Sequence, residues 1–476
     1  MRLLRERKVD MKKQFVKKAA LILTAAMLAG MGTACTKDTT QTEDGKTVIS
    51  VGGYPAKEGK DKESWDARIA DYEAANPDVK IEPDTWDFDL KTFYSKAAGG
   101  QLPTVFGTNY TEVKQCIDAE YIADITDVLH KRGYDGMFNP KVLDIISKDG
   151  KIYSVPRDAY MLGMAYNVDL FEAAGLMEAD GTPKQPKTWD EAAEFAVKIK
   201  NATGKPGFIF PSSGNVGGWL FTNLAWSYGT EFMKQDADGK WKATFNSEEC
   251  AKALQWVKDL KWKYDVLPSN TLIDNAEYYK LFATGNGAML ITAGDCPKQL
   301  VKYDMKPDQL GMFALPSGPA RHVALLGGTL YSVSAAATEE QKDAVVRWIE
   351  TKSNFKATDS YKDTTDKDLQ KNLSENQLIG IKSMSAWSDN AESVKYLNEQ
   401  IDKYANSNPN HVKLYNDFVN SDVEIQAEEP ICAQELYGIL DSCIQEVLTN
   451  KDADCAALLE KANSDFQKDY LNSFTD

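Results

Sequence analysis

Three short segments of this chain end on side chains suited to gripping a small polar molecule. They are Gly53-Tyr54, Trp86-Asp87 and Thr108-Asn109. A flat ring covers apolar C–H surface, and a planar carboxylate or amide brackets hydroxyl groups. That is chemistry for holding a ligand rather than transforming it. Catalytic patterns are sparse by comparison. The three histidines (130, 322 and 411) form no metal-ligand pair. No nucleophile elbow and no phosphate-cradling glycine loop is present. The expectation is no catalytic residue, no metal and no cofactor. Glycoside hydrolysis needs only two carboxylates, so a glycan hydrolase stands as the main rival reading.

Each of the three segments closes a strand-like run. Residues 47–52 (TVISVG), 79–82 (VKIE) and 104–107 (TVFG) read as strands, separated by amphipathic helices near 64–75 and 89–98. Alternating strand and helix favour a parallel sheet with right-handed crossovers. Such sheets bind ligands beyond the carboxyl ends of their strands. Further along, Thr188 with Glu191 is spelled like a helix capping box. DADG (236–239) reads as a hairpin turn and not a calcium loop, since it lacks the terminal Glu. Trp189 and Trp348 fall on apolar helix faces and read as packing. Beyond 350 the pattern is predominantly helical.

The N-terminus does not belong to the fold. A basic stretch (KKQFVKK, 12–18) precedes thirteen mostly apolar residues (19–31) and a small-residue stretch ending at Cys35. This is the layout of a signal peptide over residues 1–34, and thirteen residues fall short of the about 20 that span a bilayer. Gly32-Thr33-Ala34-Cys35 resembles a lipoprotein cleavage box with Cys35 as the lipidated residue. Gly32 stands where that pattern usually has Leu, so ordinary secretory cleavage is the alternative. Residues 35–45 are polar and read as a flexible tether.

The 476 residues are 43% hydrophobic and 26% charged, a globular composition expected to form two or three domains. Mean hydropathy is −0.44, which excludes a polytopic membrane protein. Residues 1–34 hold eight basic and two acidic side chains; the remainder carries 47 positive and 69 negative residues, a net of −22. So acidic a chain is not expected to bind nucleic acid, and a strongly anionic ligand fits poorly. The six further cysteines (116, 250, 296, 432, 443 and 455) show no metal spacing and read as buried thiols.

The order of the segments is similar to the extracellular solute-binding proteins of ATP-binding-cassette importers, in their carbohydrate-binding branch. The matching pieces are YEAANPDVKIE (72–82), LPTVF (102–106), ADIT (123–126), DGKIYSVP (149–156), MAYNVDLFEAAGL (164–176), TWDE (188–191), GNGAMLI (285–291), ALPSGP (314–319), LLGG (325–328) and RWIE (347–350). Thr104 stands where the family commonly has Asp. The resemblance implies an α/β, two-lobed periplasmic-binding-protein-like fold (type II) with a helix-rich C-terminal region. It implies three hinge crossings, near Val155–Met164, Met289–Thr292 and Val333–Thr338. Lobe 1 is then 45–157 with 292–335, and lobe 2 is 158–291 with 336–476.

The implied function is capture of an oligosaccharide, or another neutral carbohydrate, in the interlobe cleft and delivery to the permease subunits of the transporter. The protein would be a monomer on the outer face of the membrane. The resemblance places Trp86, Tyr160, Trp219, Trp226 and Trp387 as stacking candidates, with Tyr54 on the same rim. Asp87, Asn109, Arg157, Asp158 and Asp295 are hydrogen-bonding candidates. Gly327 and Gly328 would let backbone amides approach the ligand. The electrostatic alternative is a cationic peptide or polyamine.

Overall fold

The structure, a computed structural model, describes residues 40–473. The expected signal peptide and Cys35 lie outside the described residues. Residues 40–46 do not behave as a free tether. They turn back on the first strand, with Thr42 N donating to Lys46 O (2.9 Å) and Val48 N to Thr40 O (2.9 Å).

Two sheets organise the chain. In the first, Thr47–Val51 pairs in parallel with Val79–Pro83 and Val105–Asn109. Thr329–Val333 then adds antiparallel to Val105–Asn109, and Ser154–Pro156 adds beyond it. The expected strand–helix–strand–helix–strand opening is present, with helices Lys60–Ala75 and Leu90–Ala98 as the crossovers. In the second sheet, Tyr160–Asn167 is central. It pairs with Met289–Ala293, Leu310–Phe313 and Val323–Gly327. From Met161 onward every residue of this strand is buried, as for a strand covered on both faces.

The lobe boundary differs from the expected one. Residues 292–327 belong to the second sheet, because the strands at 289–293, 310–313 and 323–327 all pair within it. Helix Glu339–Glu350 belongs to the first lobe. It packs on the first strand, where Gln341 Nε2 donates to Val48 O (2.8 Å) and Tyr72 Oη to Ala344 O (2.7 Å). The second crossing therefore falls at Gly328 rather than near Met289–Thr292. The third comes after Glu350, before helix Asn410–Val419, whose Tyr415 Oη donates to Met161 O (2.8 Å) in the second lobe. The first crossing lies at residues 157–159, within the expected interval.

The first two crossings run side by side and are bonded to each other. Leu330 pairs with Pro156 on one side, and Gly327 pairs with Tyr160 on the other. Between them Arg157 N donates to Thr329 O (2.9 Å). The Asp158 carboxylate accepts from Thr329 N (2.8 Å) and from Thr329 Oγ1.

A strand that the sequence pattern hid, Glu424–Ala427, adds in parallel to Val323–Gly327. It leads directly to Glu428 and Glu429. Helix Val216–Tyr228 packs against helix Ala433–Thr449 at very short range. Asp441 of the second helix caps the first, accepting from Asn215 N (2.7 Å) and Gly218 N (2.7 Å). The six described cysteines are buried free thiols. DADG is a hairpin turn joining Met233–Gln235 to Trp241–Ala243. Trp189 and Trp348 are both packed in the core. Thr188 caps its helix through Glu191 N, while the Glu191 carboxylate reaches Lys187 N (2.7 Å) instead of closing a box.

Candidate functional site

The carboxyl ends of the first sheet form one rim. Gly53 N donates to Trp86 O (2.7 Å) and Tyr54 N to Asp84 O (2.9 Å), which joins two of the predicted loops. Tyr54 donates its hydroxyl to Asp66 (2.6 Å). The Trp86 indole stands edge-on to Phe106 at 6.0 Å and donates to Thr92 Oγ1 (3.1 Å), leaving the ring half-exposed. Asp87 stays exposed beside Gly53 and accepts from Phe88 N (2.9 Å). Asn109 lies at the end of the next strand, three residues before the buried Glu112.

The second lobe meets this rim with a different set of groups. Trp219 donates its indole N–H to Glu428 (2.8 Å), and Trp226 donates to Glu429 (2.9 Å). Two indoles two helical turns apart thus bond two successive glutamates at a strand end. Tyr160 lies near Glu428, Asp295 and Asp158. Across the junction, Glu428 acts electrostatically on Glu112 of the first lobe.

Burial dominates the electrostatics here. It pushes Glu112 and Glu429 up to about 7, and raises Glu428 despite the Trp219 donor beside it. The folded chain therefore keeps protons that the unfolded chain, at its ordinary value of 4.5, has lost. The stability supplied by these two groups is complete below their unfolded value and is lost as pH rises through about 7. The melting temperature is expected to fall between about pH 5 and 8. Glu429→Gln, neutral throughout, should flatten that fall. A profile that keeps its slope in the variant would show that Glu429 is not its source.

Several predicted contacts have other duties. Trp226 is 0% exposed, enclosed in the second-lobe core by its bond to Glu429, and does not reach a cleft ligand. Trp387 is 8% exposed and stacks on Phe138 at 5.2 Å, with Tyr134 and Phe355 around it, inside the first lobe's packing. Asp158 is committed to Thr329, and Arg157 bonds Asp158 (3.0 Å), so both brace the hinge. The two glycines likewise serve the hinge rather than a ligand. A Cβ at Gly327 would lie 2.2 Å from the Tyr160 ring. Gly328 has φ +135°, and a Cβ there would meet Asp158 O at 2.6 Å. Asp295 is exposed at the end of strand Met289–Ala293, near Tyr160 and Tyr279.

The sequence reading missed Glu112, Glu428 and Glu429. For Glu112 a signal existed, since it follows the legible strand Val105–Asn109; Glu428 and Glu429 follow a strand that the sequence pattern hid.

Two α/β lobes, a pair of bonded hinge crossings, and rings and carboxylates meeting between the lobes define a ligand-capture protein. Residues 56–351 match the family described as bacterial extracellular solute-binding protein, and the chain belongs to that family. A binding protein of Brucella abortus (strain 2308) is 29% identical over 304 residues, 62% of this chain and 68% of its own. The arabinooligosaccharide-binding protein of Bacillus subtilis (strain 168) is 24% identical over 325 residues, covering 65% of this chain and 69% of that protein. The crystal structure of the cyclic alpha-maltosyl-1,6-maltose binding protein from Arthrobacter globiformis superposes with a TM-score of 0.59 at 22% identity, over 88% of this chain and 98% of that one. Among the described residues no helix is long and apolar enough to cross a membrane.

Proposed function

We propose that this chain is the substrate-capture subunit of an ATP-binding-cassette sugar importer. It holds an oligosaccharide between its lobes and presents the closed form to the permease. The observation that carries this reading is the junction itself. Asn109 and Glu112 stand at and just beyond a strand end of one lobe, and Tyr160, Trp219 and Glu428 belong to the other, next to a hinge of bonded strands. Groups split between two lobes gain contacts only when the lobes close, so a ligand touching both shifts the population toward closure. The oligosaccharides named for the relatives in Bacillus and Arthrobacter support the ligand class. Tyr54, Trp86, Asp87 and Asn109 complete the first-lobe wall, and Asp295 borders Tyr160 on the other side.

Differential scanning fluorimetry over a glycan panel tests this, combined with a reducing-end assay on the same mixtures. A saturable rise in melting temperature without new reducing ends is the expected result. New reducing ends would make Glu112 and Glu428 a hydrolytic pair instead. Trp86→Ala should weaken binding about tenfold or more, the loss of one aromatic face and its burial. Unchanged affinity would remove Trp86 from the site. The monomer is proposed to sit outside the cytoplasmic membrane, held by lipid on Cys35. Labelled palmitate carried by the full chain and lost in Cys35→Ser is the expected signature.

A further inference from the structure

A cavity of about 330 Å³ lies beside the hinge and apart from the cleft. In the first sheet the crossing strands Thr329–Val333 and Ser154–Pro156 form one edge. The strands leading to Tyr54 and Trp86 lie on one side of them. The cavity lies on the other side, beyond the edge strand. Ser353, whose Oγ donates to Pro156 O (2.6 Å), lines it together with Arg157, Asp158 and Ala159 of the first crossing. Trp387 borders it from the first lobe, while Val419 and Asn420, at the end of helix Asn410–Val419, border it from the second. Helix Glu392–Tyr404 lines it through Ser393, Leu397 and Asn398. Ser393 is 2% exposed and its Oγ has no hydrogen-bond partner. Its backbone is fixed on both sides, Ser393 N donating to Phe355 O (3.0 Å) and Ser393 O accepting from Tyr361 Oη (3.1 Å). The charges around the cavity cancel. Arg157 pairs with Asp158 (3.0 Å), Lys382 with Asp402 (2.8 Å), and Lys352 and Asp389 are one of each sign.

We propose that this cavity is a second binding site, which takes one neutral monosaccharide and couples it to the cleft. A buried hydroxyl without a partner is costly, and a ligand hydroxyl gives Ser393 Oγ the bond it lacks. Asn398 and Asn420 bring amides that donate and accept. Trp387, Leu397 and Ile381 bring apolar surface for the C–H face of a ring. With its charges cancelled, the lining gives an ionic ligand nothing to pair with. The volume stands at the low end of the about 300–1,000 Å³ of small-molecule sites, the size for one ring rather than for a chain of them. An occupant touches both lobes on the far side of the pivot from the rim. Filling that side favours closure on the other, so the two ligands tighten each other. This coupling, unlike the site itself, rests on the capture reading above.

Isothermal titration of the full chain with glucose, galactose and arabinose tests the site, each with the cleft saturated by the best oligosaccharide of the panel. One of the three is expected to bind at one per chain. Ser393→Ala removes only the unpartnered hydroxyl. It should keep the parent's melting temperature and weaken that monosaccharide about fivefold, the worth of one hydrogen bond. Asn398→Trp fills the cavity from a half-buried helix position and should abolish the binding. In the reverse titration, a saturating monosaccharide should tighten the oligosaccharide about fivefold. No monosaccharide binding, or binding untouched by Asn398→Trp, would overturn the site. An oligosaccharide affinity indifferent to the monosaccharide would overturn the coupling. Failure of every oligosaccharide to bind would instead overturn the capture reading, and titrating the monosaccharides alone into parent and Asn398→Trp would still decide the cavity.

Discussion

Trp219→Ala is expected to weaken saccharide binding about a hundredfold, the largest loss from any one ring in the cleft. Two effects add. The half-exposed indole is the one large flat surface that the helix Val216–Tyr228 turns toward the junction. Its loss removes stacking and buried area worth about 2 kcal/mol. Its N–H also serves Glu428 at 2.8 Å, and without it a carboxylate already raised by burial loses a donor. An unsatisfied buried acceptor costs about 1–3 kcal/mol; the free variant already bears most of that cost, and the part that enters binding brings the loss to about the 2.7 kcal/mol of a hundredfold change. Titration calorimetry with the best ligand of the panel reads the effect. Trp226→Phe is the useful contrast. It should alter stability and leave affinity within about threefold, because Trp226 is enclosed in the core. Equal losses of affinity in both would show that the helix is merely structural.

The largest effect on stability is expected from Gly218→Ala. In a helix interior alanine is ordinarily better than glycine by about 1 kcal/mol. Here the added methyl would lie 2.2 Å from Tyr437 O and 2.6 Å from Tyr437 Cα, backbone atoms of the facing helix that cannot swing aside. The helices must separate, which also pulls Asp441 from the amides of Asn215 and Gly218 that it caps. Overpacking and a lost cap together should cost at least about 3 kcal/mol. Trp219, the next residue, moves with the helix, so affinity should fall as well. The urea midpoint measures the first effect. A variant at least as stable as the parent would mean that the close approach of the two helices is not as described.

These two glycine and tryptophan positions show where the sequence was informative and where it was silent. Alternation of strand and helix over residues 47–109 was plain, because each parallel strand is a short apolar run bounded by a turn. Tyr54, Trp86 and Asp87 sit on the rim that this pattern implies. Runs such as GAMLITA (287–293) were legible as strands, but a run buried on both faces carries no mark of which sheet it joins. That is why residues 292–327 were expected in the wrong lobe. Gly327 and Gly328 stood out, yet only the Tyr160 ring and the φ of +135° reveal what they make room for. Trp219 and Trp226 lie two turns apart and share a face, so spacing alone could not say that one is half-exposed beside Glu428 and the other enclosed in the core. Glu112 and Glu428 were hidden among 71 acidic residues. Their burial, which sets them apart, is a property of the closed fold. The four-residue strand leading to Glu428 was lost among the helices around it.

The central claim is that one ligand is gripped from both lobes. Paired spin labels report it most directly, placed at cysteines introduced at the exposed Lys131 of the first lobe and Lys234 of the second. The six described native thiols are buried, so with Cys35 replaced by serine those two positions are the reactive ones. With a saccharide that raises the melting temperature, the distance distribution should collapse to a single short separation as the ligand saturates. A distribution identical with and without that saccharide would contradict capture between the lobes.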